Sequence, residues 1–158
     1  MNDHRLWRIG ADTPNYTAED SSGKGAEATG GRWNRKGIAL LYTSESIALA
    51  CLETLVHLNA GSLPLNRYLV NINVPANVWR KRETLLPQTM IGWDAEPAGR
   101  VSLNRGSEWV KSNVSLCACV PSVVVPEEWN VLINPKHPDA VSMQVVKVRN
   151  WSYDHRLE

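Results

Sequence analysis

Residues 30–53 combine a glycine-rich turn, an apolar run and an amphipathic segment, and few local structures satisfy all three. The apolar run 38–42 follows a glycine and is typical of a short buried strand. Thr43 and Ser44 then predict the start of a helix, with Glu45 favourable in its first turn. This order predicts that a strand leads directly into a helix that packs against it.

The predicted helix ends at residues 59–61, and its apolar residues have the i, i+3, i+4, i+7 spacing of a core-facing stripe. These residues are Ala48, Cys51, Leu52 and Leu55. Glu53 lies beside the stripe, because successive helical residues turn by about 100°. A carboxylate with apolar neighbours is expected to be paired, hydrogen-bonded or chemically active. Two structural alternatives stay open for Glu53: a solvated flank, and an ion pair with Arg32 or Arg35.

The remaining segments predict a domain with several short strands. Strands are expected at residues 6–10, 67–74, 116–120, 123–125, 130–135 and 144–151, from β-prone residues bounded by turn signals. Within 67–74, alternate residues form one buried face: Tyr68, Val70, Ile72 and Val74. Pro121 confines its segment to a sheet edge or a bulged strand.

Other segments predict loops and one further helix. Residues 12–31 are rich in Gly, Ser and Thr and predict a long loop, either a surface excursion or part of a ligand site. Residues 107–112 predict a short helix capped by Ser107. Trp79 and Trp93 are expected to anchor the irregular region 76–105. With neither a repeat nor a linker in the sequence, we expect one domain over residues 1–158.

Composition and charge argue against several classes of function for this chain. The chain has 158 residues, 43% of them hydrophobic, and a formal net charge of +1, which gives no support for a nucleic-acid-binding or membrane-binding surface. Three cysteines without a second pair of clustered Cys or His residues predict no metal site, and Cys117 and Cys119 are expected in the core. The sequence shows neither a signal peptide nor a membrane span, so we expect a cytoplasmic location.

Common catalytic motifs do not occur, including the G-x-S-x-G elbow and the phosphate-binding glycine loops. Four polar residues remain that stand beside sharp backbone features or on the predicted helix: Arg32, Tyr42, Glu53 and Ser122. Arg32 follows two glycines, so its guanidinium can approach a phosphate or a carboxylate closely. Taken singly, the others have ordinary alternatives as well, such as a core tyrosine and a serine in a β-bulge.

The order of several motifs resembles a known family. GRWN, G-x-x-x-LYTS, the helix ending in CLE, and VPS-x-VVP-x-E-x-N-x-LINP-x-HP are similar to the RES-domain toxins of bacterial toxin–antitoxin pairs. That family is named for an Arg, a Glu and a Ser, which match Arg32, Glu53 and Ser122. The resemblance extends from LWRIG to the final strand, whereas residues 12–31 and 80–105 match poorly.

This resemblance implies a compact α+β fold like that of the ADP-ribosyltransferases, with a cleft between small sheets. It implies a growth-arresting enzyme with NAD as its substrate and without a metal. NAD is degraded at the nicotinamide–ribose bond, by hydrolysis or phosphorolysis, or is used to ADP-ribosylate a specific protein target. The resemblance also implies a partner, a Xre-like antitoxin that blocks the active site.

The resemblance assigns roles within the site, and residue chemistry agrees with them. Glu53 is expected to stabilise the positive charge that develops on the ribose and to hold a ribose hydroxyl. Arg32 is expected to bind the NAD phosphates, helped by Trp33 and Asn34 in the same turn. Tyr42 is expected to stack on the nicotinamide ring.

Ser122 is expected to hydrogen-bond the ribose or the nicotinamide amide, because it has no nearby histidine to make it a nucleophile. A different class of function also stays open for the chain. A non-catalytic domain that binds a protein partner would use the seven tryptophans as interface anchors.

Overall fold

The computed structural model describes residues 2–58 and 63–157, so the helix end predicted at 59–61 lies outside the described residues. The strands are β1 His4–Ala11, β2 Leu41–Ser44, β3 Arg67–Val74, β4 Glu83–Thr84, β5 Cys117–Pro121, β6 Trp129–Ile133 and β7 Gln144–Asn150. The α-helices are α1 Lys24–Thr29, α2 Ile47–Leu55, α3 Ala76–Trp79 and α4 Arg100–Ser112, with short 3-10 helices at Pro87–Thr89, Pro138–Ser142 and His155–Leu157. This mixture confirms the predicted α+β class.

The described strands form one seven-stranded sheet in the order β4-β5-β6-β2-β1-β3-β7. Neighbouring strands are antiparallel except β4 and β5, which are parallel. β1 and β2 are joined by a single residue pair, Trp7 with Ser44. The sheet therefore consists of two small groups of strands that meet at this seam between β1 and β2, in agreement with the expected small sheets.

The strands predicted from β-prone residues bounded by turn signals are confirmed for β1, β3, β5, β6 and β7. β3 covers the predicted residues 67–74, but its burial is not confined to one face. Leu69 is buried with Ile9 and Ala50, because α2 covers the second face of this part of the sheet. The single buried face predicted for β3 is therefore wrong.

The sequence placed the boundary between β2 and α2 too early. The strand runs from Leu41 to Ser44 because its ladder with β6 continues to the pair Ser44–Asn130. The helix cap is Ser46, whose Oγ accepts a hydrogen bond from the backbone N–H of Leu49 at 3.1 Å. Glu45 precedes this cap instead of lying in the first turn.

The predicted apolar stripe of α2 is also wrong. Leu49 and Ala50 are the buried residues of the helix, whereas Ala48 is exposed and Leu52 is 39% exposed. The helix packs on the sheet through Leu49 and Ala50, so the buried face is rotated from the predicted one. Glu53, three residues after Ala50, then lies close to the buried face and is itself partly buried.

Residues 12–31 are not entirely loop, since they contain α1. The carbonyl of Ala26 in this helix accepts a hydrogen bond from Asn34 Nδ2 at 2.9 Å. The carbonyl of Glu27 accepts one from the backbone N–H of Gly37 at 2.8 Å. These two bonds tie the helix to the turn that carries Arg32.

The helix α4 begins at Arg100, so the helix predicted over 107–112 is too short and its Ser107 cap is wrong. Ser107 is buried inside the helix. A Cβ at Gly106 would stand 2.0 Å from the carbonyl oxygen of Trp33, so glycine permits the close approach of α4 to this residue. Because this glycine and the polar residues before it interrupt the apolar periodicity, the first half of the helix was not predicted from the sequence.

The segment after β5 is a turn, and the strand predicted at 123–125 is wrong. The backbone N–H groups of Val124 and Val125 donate to Ser122 Oγ and therefore do not join a strand ladder. β5 itself lies between β4 and β6 and not at a sheet edge. Pro121 is tolerated because it is the last residue of the strand.

The tryptophans contribute mainly to the core. All seven are at least partly buried, and Trp93 is 7% exposed, which confirms its role as an anchor. Trp33 stacks on Trp93 with ring centroids 6.3 Å apart. Trp109 donates a hydrogen bond from Nε1 to Ser115 Oγ at 3.0 Å. Trp33, Trp93 and Trp109 are buried, so these three rings are not available as interface anchors.

Cys117 and Cys119 lie in the core as predicted. Burial raises the pKa of Cys117 to about 12 and that of Cys119 to about 11, so both thiols stay protonated near neutral pH. Within residues 2–58 and 63–157, no helix is both long enough and apolar enough to cross a membrane.

Candidate active site

A cleft of about 740 Å³ opens at the seam between β1 and β2. Residues of β1 after Trp7 and residues of β2 before Ser44 both line it, so the cleft lies where the two strands separate. The turn at 30–33, the helix α2 and the end of β5 complete the walls. A cleft of this volume suits a small molecule.

Glu53 projects from α2 into this cleft and is held by hydrogen bonds. Its Oε1 accepts from Ser122 Oγ at 2.6 Å and from Asn130 Nδ2 at 2.8 Å. Ser44 Oγ donates to Asn130 Oδ1 at 2.7 Å, which fixes the orientation of that amide. Both bonds within the described residues go to Oε1, so Oε2 is left for other contacts. In this part of the chain Glu53 makes no ion pair with Arg32 or Arg35, and the hydrogen-bonded alternative is the observed one.

Ser122 is fully buried and stands behind Glu53, away from the cleft surface. It donates to Glu53 and accepts from the N–H groups of Val124 at 3.1 Å and Val125 at 3.0 Å. One donor and two acceptor positions are all that a serine hydroxyl has. Direct contact with ribose or amide stays a prediction that nothing tests, and this geometry favours a role for Ser122 in positioning Glu53.

Ser122→Ala is expected to lower the turnover number about 10- to 100-fold with little change in KM, because a catalytic group that moves by about 1 Å loses that much rate. Steady-state kinetics on NAD measures this effect. Ser115→Ala is the matched control, since Ser115 is a buried serine that also makes two hydrogen bonds, to Trp109 and Cys117, outside the cleft. Equal loss of melting temperature with equal turnover in both variants would contradict the positioning role.

Arg32 is fixed by the segment 93–96, which the sequence presented only as a loop. Its Nη1 donates to the carbonyls of Trp93 at 3.0 Å and Ala95 at 2.8 Å, and its Nη2 donates to Glu96 Oε2 at 2.9 Å. The side chain of Arg32 is 16% exposed and that of Glu96 is 78% exposed. Since exposed ion pairs are weak, an anionic ligand can compete with Glu96 for the guanidinium.

Tyr42 of β2 is hydrogen-bonded to the turn that carries Arg32. Its hydroxyl accepts from the N–H of Trp33 at 3.0 Å and donates to Asn34 Oδ1 at 2.7 Å. Burial raises the pKa of Tyr42 far above its ordinary value, so the hydroxyl stays protonated. A Cβ at Gly31 would stand 2.6 Å from this hydroxyl, so glycine is required beside it. Tyr42 also lines the cleft, and stacking of its ring on nicotinamide stays a prediction.

Trp33 and Asn34 are buried residues of the turn that carries Arg32. Asn34 is fully buried and donates from Nδ2 to the carbonyls of Ala26 and Ile38, each at 2.9 Å. Trp33 lines the cleft but is only 3% exposed. Their direct contacts with NAD stay predictions, and the geometry favours roles in holding Arg32 and Tyr42.

The structure adds residues that sequence reasoning missed, namely Ser44, Glu96 and Asn130. Asn130 is part of the motif E-x-N-x-LINP, which was the one signal that pointed to it. Ser44 was interpreted as a helix start and Glu96 as a loop residue. The sequence around each of them does not indicate which distant residue it contacts. Within the described ranges, no group of three His, Cys, Asp or Glu residues is placed to hold a metal ion.

Comparison with known proteins agrees with the motifs. The family model described as RES domain matches residues 5–156. A protein of Sphingobium sp. (strain YBL2), named Prs ADP-ribosylating toxin, is 57% identical over 96% of this chain and 95% of its own length. Proteins named Toxin Res are 38% identical in Yersinia enterocolitica, over 90% of this chain and 93% of theirs, and 34% identical in Pseudomonas putida, over 96% and 98%. This chain belongs to the RES-domain family.

Proposed function

We propose that this chain is a toxin that consumes NAD by breaking its nicotinamide–ribose bond. The observation that carries the proposal is the carboxylate of Glu53, which is held in the cleft by Ser122 and Asn130 with Oε2 available to a ligand. The relatives named as toxins support the toxin role in this proposal. The fixed guanidinium of Arg32 in the same cleft supports an anionic substrate such as a dinucleotide.

The chemistry follows from the charge that the reaction creates. As the bond between ribose C1′ and the nicotinamide nitrogen breaks, its electron pair leaves with nicotinamide and positive charge builds on the ribose. A carboxylate that is already oriented stabilises this charge without reorganisation. The acceptor, water or phosphate, forms the new bond to C1′ and releases a proton. In this proposal Tyr42 stacks on the nicotinamide ring and Arg32 binds the phosphates, and the position of both residues in the cleft lining supports these roles.

A second candidate is transfer of ADP-ribose to a protein. The relative that is 57% identical is named Prs ADP-ribosylating toxin, and this name supports transfer of ADP-ribose as the second candidate. Both candidates break the same bond and need the same carboxylate. They differ in the acceptor alone, so one experiment separates them.

The test uses purified chain and NAD labelled in the adenine ring. Release of nicotinamide without any added macromolecule supports NAD degradation, and stimulation by inorganic phosphate assigns phosphorolysis. Label that enters protein only after a bacterial extract is added supports transfer. The Glu53→Gln variant serves as the inactive control in every arm. A soluble, folded chain with neither activity would contradict the proposal and favour a binding domain.

Arg32→Lys is expected to weaken binding of a non-hydrolysable NAD analogue about 10- to 100-fold. A hydrogen bond to a charged group contributes about 1.5–3 kcal/mol, and a lysine loses the fork that contacts a phosphate with two donors. Isothermal titration calorimetry measures the affinity. Arg35→Lys is the matched control, because Arg35 lies in the same turn, is exposed and bonds to Asn104. Equal affinities for Arg32→Lys and the parent chain would remove Arg32 from the phosphate site.

A further inference from the structure

The outer side of α2 is apolar although it faces solvent. Leu52 is 39% exposed, Val56 is 58% exposed, and Ala48 is exposed as well. Because successive helical residues turn by about 100°, these positions and the half-buried Leu55 share one side of the helix, opposite the side that packs on the sheet through Ala50. A helix that is apolar on all sides is normally covered on all sides, so another molecule is expected to cover this one.

A second apolar segment lies between this side of α2 and the cleft. Val123 lines the cleft, and the next residue, Val124, is 37% exposed. The N–H of Val124 donates to Ser122 Oγ, and that hydroxyl donates to Glu53 of α2, so the turn lies beside the helix. The four exposed residues form what we call the exposed apolar surface: Ala48, Leu52, Val56 and Val124.

The charged residues next to the exposed apolar surface are acidic. Glu127 and Glu128 follow the turn and are exposed, and neither makes an ion pair with another residue that the structure describes. The N–H of Glu45 donates to the carbonyl of Trp129, which places these three glutamates near the start of α2. Neither α2 nor the turn contains a lysine or an arginine. An apolar segment flanked by basic residues on another protein would therefore match both the apolar surface and the glutamates.

We propose that the exposed apolar surface and its glutamates dock the protein that accepts ADP-ribose. This inference rests on the transfer form of the proposed function, since only transfer needs a protein acceptor. Leu52 and Val56 lie one residue before and three residues after Glu53, so a protein docked on them stands beside the carboxylate that is proposed to act on the ribose. A nucleophilic side chain of the docked protein forms the new bond to C1′ and loses its proton, while nicotinamide leaves with the electron pair of the broken bond. A small docking surface suits a transient encounter, which an enzyme needs with a macromolecular substrate.

The test measures transfer of ADP-ribose from NAD labelled in the adenine ring to the proteins of a bacterial extract. In the double variant Leu52→Gln/Val56→Gln, glutamine keeps a high helix propensity and removes the apolar contact. The initial rate of protein labelling is expected to fall about 10-fold or more, as when an apolar anchor is removed from an interface. ADP-ribose affinity, measured by calorimetry, should stay parental, because both side chains lie outside the cleft lining.

Val146→Gln/Val148→Gln is the matched control. These two valines of β7 are 49% and 47% exposed and also lie outside the cleft lining, so this variant should label protein at the parental rate. Val56→Gln alone replaces the double variant should the latter fail to fold. Glu127→Lys/Glu128→Lys leaves the apolar residues in place and should also slow labelling. Added salt should reduce its difference from the parent, because salt screens exposed charges.

Parental labelling rates in these folded variants would overturn the inference and leave the proposed function intact. If the variants labelled normally but escaped inhibition by a Xre-like antitoxin, the surface would belong to the antitoxin contact. If they labelled normally but lost self-association in light scattering, it would belong to a contact between two copies of this chain. Either result would overturn docking of the acceptor. Nicotinamide release by the parent without any labelled protein would overturn the inference and retain NAD degradation, whereas loss of both activities would contradict the proposed function as well.

Discussion

Glu53→Gln is expected to lower the rate of nicotinamide release about 10²–10³-fold, the usual loss when preorganised electrostatic stabilisation is removed. Glutamine keeps the shape of the side chain, and its amide oxygen can still accept the hydrogen bonds of Ser122 and Asn130. The substitution removes the negative charge that is proposed to stabilise the ribose. Single-turnover measurement of nicotinamide release, by chromatography, isolates the chemical step from product release.

Glu45→Gln is the matched control for this variant. Glu45 is an exposed glutamate just before α2, and its contact with His4 at 3.5 Å lies outside the cleft. The control should keep the parental rate. ADP-ribose affinity and melting temperature should be similar in Glu53→Gln and the parent, since the polar cluster is retained. A parental rate in Glu53→Gln would show that the carboxylate is structural and that the proposed mechanism is wrong.

The local sequence pattern was sufficient to predict strands that are bounded by turn residues. β3 and β7 are runs of β-prone residues, and their bounds were predicted to within a residue. The motifs GRWN, CLE and VPS likewise identified Arg32, Glu53 and Ser122 as residues of interest. Glu53 and Ser122 share a hydrogen bond in the structure, and both line or support one cleft.

The partners of these residues were not predictable, because the contacts join distant parts of the chain. Arg32 meets Glu96 from 64 positions away, and Asn130 meets Glu53 from 77 positions away. The helix α2 has apolar residues on more than one side, so its own sequence did not decide which face packs on the sheet.

Production of the parent chain alone in a bacterial cytoplasm is expected to stop growth. Cells that produce the Glu53→Gln variant are expected to grow normally. NAD serves most of metabolism, so an enzyme that consumes NAD should exhaust the pool before growth stops. Culture density and extracted NAD are measured together after induction, with protein levels matched by immunoblot. Glu45→Gln should arrest growth like the parent.

We further propose that a Xre-like antitoxin relieves this arrest by covering the cleft. A partner side chain seated near Arg32 would exclude the phosphates of NAD by competition, so co-production should restore both growth and NAD. In a purified system the partner should raise the apparent KM for NAD in proportion to its own concentration. Growth arrest with a constant NAD pool would contradict NAD degradation and favour a specific modified protein. Normal growth in cells that contain the soluble, folded parent chain would contradict the toxin function itself.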